Sequence, residues 1–247
     1  MSSSAQPEPE NKCPDCLYMK LTANPIYSRS LPFFKRVLKN IELYLTLSFN
    51  EEQIEWEDGS SINFGIKAGS LRLNLENGKI PYKDRQWNNT FTRLVPIERQ
   101  TKVAEKKKTS GKASVSIERD IKAESTGGSE NTAETTDKLQ FSAAQITTKG
   151  SPQTPAWAFQ EQTGEQFLKG DISNQRLATV TVKEKPCKIE ATFEISKRNV
   201  YICDYEGFWL LSLFSEKQKL KILKTRVYKY LQAESSPYLS RQELKYE

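Results

Sequence analysis

Hydrophobic and polar residues alternate along the segment from Ile41 to Tyr82, and this period of two is typical of β-strands with one buried face. The alternation opens with Ile41 to Phe49 and returns at residues 62–66 and 71–75. Asp58-Gly59 is a tight-turn dipeptide between two of these runs, and Asn77-Gly78 closes the last one. We therefore expect a ribbon of consecutive antiparallel strands over residues 41–82.

Similar alternation in the second half of the chain predicts further strands. The clearest runs are Leu177 to Lys183 and Ile189 to Ile195, and Tyr238 to Tyr246 is expected to be an edge strand. The run Phe208 to Phe214 is apolar at nearly every position, which favours a strand buried between two layers. The pattern as a whole predicts a mainly β fold, an antiparallel β-sandwich or a partly open barrel, with one or two peripheral α-helices.

The clearest helix is predicted near the C-terminus, from Ser215 to Gln232. Ser215 is a suitable N-cap residue. Apolar residues at helical spacing predict the buried face of this helix: Leu220, Leu223, Val227 and Leu231. A separate stripe beside that face contains Lys217, Lys221, Lys224 and Tyr228. A second, shorter helix is predicted over residues Leu31 to Asn40, with Pro32 in its first turn.

The composition divides the chain into segments. Residues 1–12 are rich in Ser, Pro and Glu, and we expect a disordered tail there. We expect residues 13–247 to form a single β-rich domain. A low-complexity stretch at 101–137, without aromatic residues, interrupts this domain as a flexible insert or a long hairpin.

The absence of histidine removes most of the common catalytic arrangements. The chain cannot form a Ser-His-Asp triad, a Cys-His pair or a zinc site with histidine ligands. Glu190 and Glu194 share one strand face, but a separation of roughly 13 Å is too large for a direct acid–base pair. We assign no catalytic residue, and we lean towards a protein that is not an enzyme.

Four cysteines are the candidate metal ligands: Cys13, Cys16, Cys187 and Cys203. The two-residue spacing of Cys13 and Cys16 allows two thiolates to bind one zinc ion, but a structural site needs four ligands. The hypothesis of a four-cysteine zinc site therefore requires that all four thiols meet. The favoured alternative is reduced thiols without a metal or other cofactor.

The balance of 37 basic and 31 acidic residues gives a net charge of +6, which makes an acidic partner plausible. The candidate nucleic-acid-binding residues are those of the insert and of the C-terminal helix: Lys106, Lys107, Lys108, Lys112, Lys217, Lys221, Lys224 and Tyr228. No run of 18 apolar residues occurs, and the longest candidate, Phe208 to Phe214, has seven residues, so we expect no transmembrane segment. We do not favour an anionic membrane surface as the partner.

We expect a soluble, cytoplasmic binding or assembly module that recognises a macromolecular partner, another protein in the first place, through its loops and the 101–137 insert. The alternative is a nucleic-acid-binding protein that uses the C-terminal helix and the Lys106 to Lys112 cluster.

Overall fold

The computed structural model of the protein describes residues 7–28, 37–87, 90–93, 143–162, 164–232 and 238–247. The insert predicted at 101–137 lies outside these residues. Of the predicted N-terminal tail, residues 10–11 form a strand, whereas residues 1–6 lie outside the described part.

The described residues contain strands throughout and one α-helix near the C-terminus, so the prediction of a mainly β fold is confirmed. In chain order the strands are β1 (Glu10–Asn11), β2 (Leu17–Ser28), β3 (Val37–Phe49), β4 (Glu52–Glu55), β5 (Ser61–Ile66), β6 (Ala68–Glu76), β7 (Gly78–Lys79), β8 (Thr90–Arg93), β9 (Ala143–Lys149), β10 (Ala156–Glu161), β11 (Gly170–Val182), β12 (Cys187–Glu194), β13 (Val200–Glu206) and β14 (Tyr238–Tyr246). The helix α1 comprises Glu216–Leu231. Short 3-10 helices occur at Tyr82–Asp84, Lys197–Asn199 and Trp209–Leu213.

The described strands form three antiparallel sheets. The largest has seven strands in the order β1-β14-β12-β6-β10-β9-β8. A four-stranded sheet has the order β2-β3-β11-β7, and a three-stranded sheet has the order β13-β5-β4. No closed barrel forms among them. The strand predicted at Tyr238 to Tyr246 is confirmed as β14, although it is not the edge strand, because β1 pairs outside it.

The seven-stranded and four-stranded sheets pack face to face through their apolar sides. Phe49 of β3 lies 6.2 Å from Phe159 of β10 and 5.8 Å from Phe193 of β12, measured between ring centroids. Every second residue of β3 from Ile41 to Phe49 is fully buried, as the alternation predicts. Offset and edge-on aromatic pairs of this kind add to the stability gained from burial.

The expected ribbon over residues 41–82 is wrong in its connections. Only β4 and β5 pair with each other as a hairpin, around a turn in which Gly59 has a φ of 76°. Strand β3 belongs to the four-stranded sheet, β4 and β5 to the three-stranded sheet, and β6 to the seven-stranded sheet. Periodicity shows which face of a strand is buried, but it does not show which strand lies beside it.

Two further predictions are corrected by the structure. Residues 37–40 of the predicted short helix belong to β3, where pairing with β2 extends to Ser28 and Val37, and residues 31–36 lie outside the described part. Pairing with a long neighbouring strand outweighs a weak helical spacing. The strand predicted at Phe208 to Phe214 is instead the 3-10 helix Trp209–Leu213, of which only Leu211 is buried.

Candidate functional site

Helix α1 begins where the sequence predicts. The side-chain oxygen of Gln218 accepts hydrogen bonds from the backbone N–H and the hydroxyl of Ser215, at 3.0 and 2.8 Å. This satisfies groups that a helix start otherwise leaves unpaired. Glu216 lies in the first turn, where a negative charge is favourable, and pairs with Lys219 at 2.6 Å.

The buried face of α1 packs against the three-stranded sheet. Leu223, Val227 and Leu231 are buried as predicted, whereas Leu220 remains 42% exposed. The opposite face of the helix is therefore directed away from the sheet.

An aromatic and charged cluster fixes α1 to the turn between β4 and β5. Arg226 lies over the ring of Trp56, 4.2 Å from its centroid, and over the ring of Phe208 at 5.0 Å. The same guanidinium donates a hydrogen bond to Asp58 at 3.2 Å. Trp56 also contacts Tyr230 edge-on, with ring centroids 6.5 Å apart. The position of α1 on the sheet is thus set by both packing and charge.

Large hydrophobic side chains are exposed beside this cluster. Among the described residues ten large hydrophobic side chains are exposed, and seven of them lie between positions 209 and 230: Trp209, Leu210, Leu213, Phe214, Leu220, Ile222 and Tyr230. Trp209 is 77% exposed and Leu213 is 81% exposed, so neither contributes much to the core. Such a concentration of exposed apolar side chains is typical of an interaction site.

A groove of about 580 Å³ lies along the outer face of α1. We call it the α1 groove, and its lining residues are Phe214, Gln218, Lys221, Ile222, Thr225, Arg226 and Lys229. Three of these residues are cations and none is a carboxylate. The groove therefore combines apolar side chains with a positive charge.

The four candidate nucleic-acid-binding residues of α1 divide between the surface and the body of the protein. Lys217 and Lys221 are exposed, whereas Lys224 and Tyr228 are half-buried. Burial, together with the nearby ammonium group of Lys67, lowers the pKa of Lys224. The other candidates, Lys106, Lys107, Lys108 and Lys112, lie outside the described residues.

The structure brings three of the four cysteines into one region. The thiol of Cys13 donates a hydrogen bond to Glu52 at 2.9 Å, and the backbone N–H of Cys16 donates to the same carboxylate oxygen at 2.8 Å. Cys203 is close enough to influence the pKa of Cys16. Cys187 is elsewhere, opposite Tyr246 in the seven-stranded sheet and next to Gly78.

Burial, with Glu52 as a further cause, raises the pKa of both the Cys13 and the Cys16 thiol. This environment favours the neutral form of both thiols. Within the part of the chain that the structure describes, no three Cys, Asp or Glu side chains are arranged to hold a metal ion.

A polar cleft of about 500 Å³ on the exposed face of the seven-stranded sheet contains Glu190 and Glu194. Arg241 pairs with Glu190 at 2.7 Å, and Arg72 pairs with Glu194 at 3.0 Å. Both carboxylates are therefore engaged in ion pairs.

No protein-family model matches the chain, and no curated protein matches it in sequence. Among the described residues there is also no helix long and apolar enough to cross a membrane. The proposed function therefore rests on the geometry of the chain itself.

The sequence did not predict the exposed apolar side chains next to α1, because the run Phe208 to Phe214 suggested a buried strand. A short apolar run cannot be assigned to strand or helix by periodicity alone. Two features of the sequence do point to the observed structure. Gly207, with a φ of 80°, ends the preceding strand region, and Ser215 directly after the run starts a helix.

Proposed function

We propose that the protein is a non-enzymatic binding module that recognises another protein through the outer face of α1 and the adjoining 3-10 helix Trp209–Leu213. The observation that carries this proposal is the exposure of Trp209 and Leu213, at 77% and 81%. Exposed Trp and Leu side chains cost free energy in water, and a partner that covers them recovers it. Aromatic and arginine side chains such as Trp209 and Arg226 are also enriched in the centres of protein interfaces.

The proposed surface differs from the one that the sequence suggests. The sequence assigns recognition to loops and to the 101–137 insert, which lies outside the described residues. The proposal rests on α1 and its neighbouring 3-10 helix, and contacts from the insert are not needed for it.

Nucleic acid is the second candidate partner, and a specific observation favours it. Lys217 and Lys221 are exposed, and the exposed aromatic rings of Trp209 and Phe214 lie close to them in the chain. Basic residues beside aromatic rings are typical of sites that bind single strands, where bases stack on the rings. The exposed aliphatic side chains of Leu213 and Ile222 offer no such stacking, so we place a protein partner first.

Site-specific photo-crosslinking in cells that express the protein tests the proposal. The photoreactive residue p-benzoylphenylalanine replaces Leu213 in one variant and the exposed Lys83 in a matched control variant. We expect a discrete, protease-sensitive adduct at position 213 and none at position 83. The proposal fails if position 213 gives no adduct, or if its adduct is digested by nucleases and not by proteases.

A further inference from the structure

We propose that the α1 groove takes an acidic amphipathic helix of the partner protein, an inference that rests on the proposed function and specifies the occupant. Four of its lining residues, at positions 218, 222, 225 and 229, are spaced by three or four residues. Residues with this spacing lie on one face of a helix. The groove therefore runs along the axis of α1 for about 16 Å, three turns of helix.

The secondary structure around the groove favours a helical ligand over an extended one. An extended peptide gains its affinity by pairing its backbone with an exposed sheet edge. The groove is lined by side chains of α1 and by Phe214, so it offers no such edge. The backbone N–H and C=O groups of α1 are hydrogen-bonded to one another within the helix and are not available to a ligand. A second helix laid along the groove needs only side-chain contacts, and apolar anchors at helical spacing supply them.

The apolar part of the groove gives the ligand its anchors. Phe214 is 42% exposed and Ile222 is 39% exposed, so both have apolar surface left to bury. The aliphatic stems of Lys221 and Lys229 extend this surface while their ammonium groups remain in water. We infer that the ligand presents large apolar residues, one helical turn apart, against Phe214 and Ile222.

The charges of the groove select an acidic ligand. Arg226 is engaged with Asp58 at 3.2 Å. Lys221 and Lys229 are exposed, and neither forms an ion pair within the described part of the chain. They are eight residues apart, about 12 Å along the helix axis. Two carboxylates separated by two turns of a partner helix match this distance, whereas a basic helix would meet uncompensated repulsion.

Selection from a displayed library of helical peptides tests this inference. The library contains acidic, neutral and basic members in equal numbers, and the full-length protein is the bait. We expect the enriched peptides to carry net negative charge and apolar residues at helical spacing. Binding of those peptides, measured by fluorescence anisotropy, should be lost in Ile222→Asp.

Charge reversal provides the matched comparison. In Lys221→Glu/Lys229→Glu we expect the affinity for the enriched acidic peptides to fall at least about tenfold, and basic peptides of the same apolar pattern to bind instead. The control Lys83→Glu/Lys183→Glu makes the same change in net charge outside α1, at two exposed lysines, and should change the affinity by less than about threefold.

Several results would overturn the inference. Enriched peptides that are basic or extended, or that bind Ile222→Asp equally well, would exclude an acidic helix. So would an Ile222-dependent association with a single-stranded thymidine oligonucleotide, with vesicles rich in phosphatidylglycerol, or with a second copy of the chain in sedimentation experiments. If any of these results is obtained together with a protein adduct at position 213, the proposed function is supported and only the inference of an acidic helix is rejected.

Discussion

The guanidinium of Arg226 donates a hydrogen bond to the carboxylate of Asp58 at 3.2 Å and thereby connects α1 to the turn between β4 and β5. The same carboxylate accepts hydrogen bonds from the hydroxyl and the backbone N–H of Ser60. These contacts, the two from Ser60 first, lower the pKa of Asp58 from 3.8 to about 2.

The lowered pKa of Asp58 predicts a specific dependence of stability on pH. The ionised carboxylate stabilises the folded state above about pH 4, and this contribution is lost as the pH falls towards 2. The difference in unfolding free energy between the wild type and Asp58→Asn should be constant near neutral pH and shrink below about pH 4. Urea denaturation over a series of pH values measures it. A difference that already shrinks near neutral pH would contradict the assignment.

The buried thiols should react slowly with alkylating agents. Burial raises the pKa of Cys13 and Cys16, and it raises the pKa of Cys203 to about 12, with Glu51 as a further cause. Because the pKa values are raised, little thiolate is present near pH 8, and the thiolate is the form that reacts. We expect iodoacetamide to leave Cys13 and Cys16 unmodified in the folded protein and to modify all four cysteines in urea, as read by mass spectrometry. Rapid labelling of Cys13 without denaturant would contradict the conclusion that its thiol is buried and has a raised pKa.

Arg85 should be important for stability although it is charged. It is buried and donates hydrogen bonds to the carbonyl oxygens of Lys149, Gly150 and Ser151, at 2.9, 3.1 and 2.8 Å. The two terminal nitrogens of the guanidinium share these contacts, whereas a lysine carries all its donors on a single nitrogen and cannot reproduce this planar arrangement. We therefore expect Arg85→Lys to lower the free energy of unfolding by about 2–4 kcal/mol, measured by urea denaturation.

The control for Arg85 is Arg176→Lys, at an arginine whose ion pair with Glu42 is partly exposed. Ion pairs of this kind contribute little, so the change should stay within about 0.5 kcal/mol. Equal effects of the two substitutions would mean that the carbonyl contacts of Arg85 do not matter.

Substitutions at two neighbouring positions of α1 should differ strongly in their effect on stability. Leu223 is fully buried and Ile222 is 39% exposed. We expect Leu223→Ala to lower the free energy of unfolding by about 2–5 kcal/mol. Ile222→Asp should lower it by about 1 kcal/mol or less, because the side chain is already 39% exposed. Thermal and urea denaturation measure both, and a large loss in Ile222→Asp would mean that the groove is part of the core.

The sequence predicted the fold class and α1 because both depend on local patterns. Alternation in β3 reflects a strand with one buried face, and Ser215 with the apolar spacing of Leu223 and Val227 defines the helix. The neighbours of each strand could not be predicted, because pairing depends on contacts between residues far apart in the chain. Glu190 of β12, for example, pairs with Asn74 of β6.

The sequence does not predict the α1 groove, although it does predict the stripe of α1 to which Lys221 belongs. The apolar run from Phe208 to Phe214 predicts a buried strand that contains Trp209, because such a run gives no information on whether another layer covers it. Whether the four cysteines meet also depends on tertiary structure, and the sequence alone could not separate Cys187 from Cys13 and Cys16.

The distribution of β3 to β6 over three sheets has a consequence for how the protein folds. A fragment of residues 37–79 would contain one hairpin, β4 and β5, and strands whose neighbours are missing. Distant segments must meet before most sheets can form, as with Glu10 of β1 and Arg241 of β14. Closing such long loops lowers the entropy of the chain before the stabilising contacts between the strands have formed. We therefore expect the protein to fold more slowly than a helical protein of the same length, and to have no independently folding half.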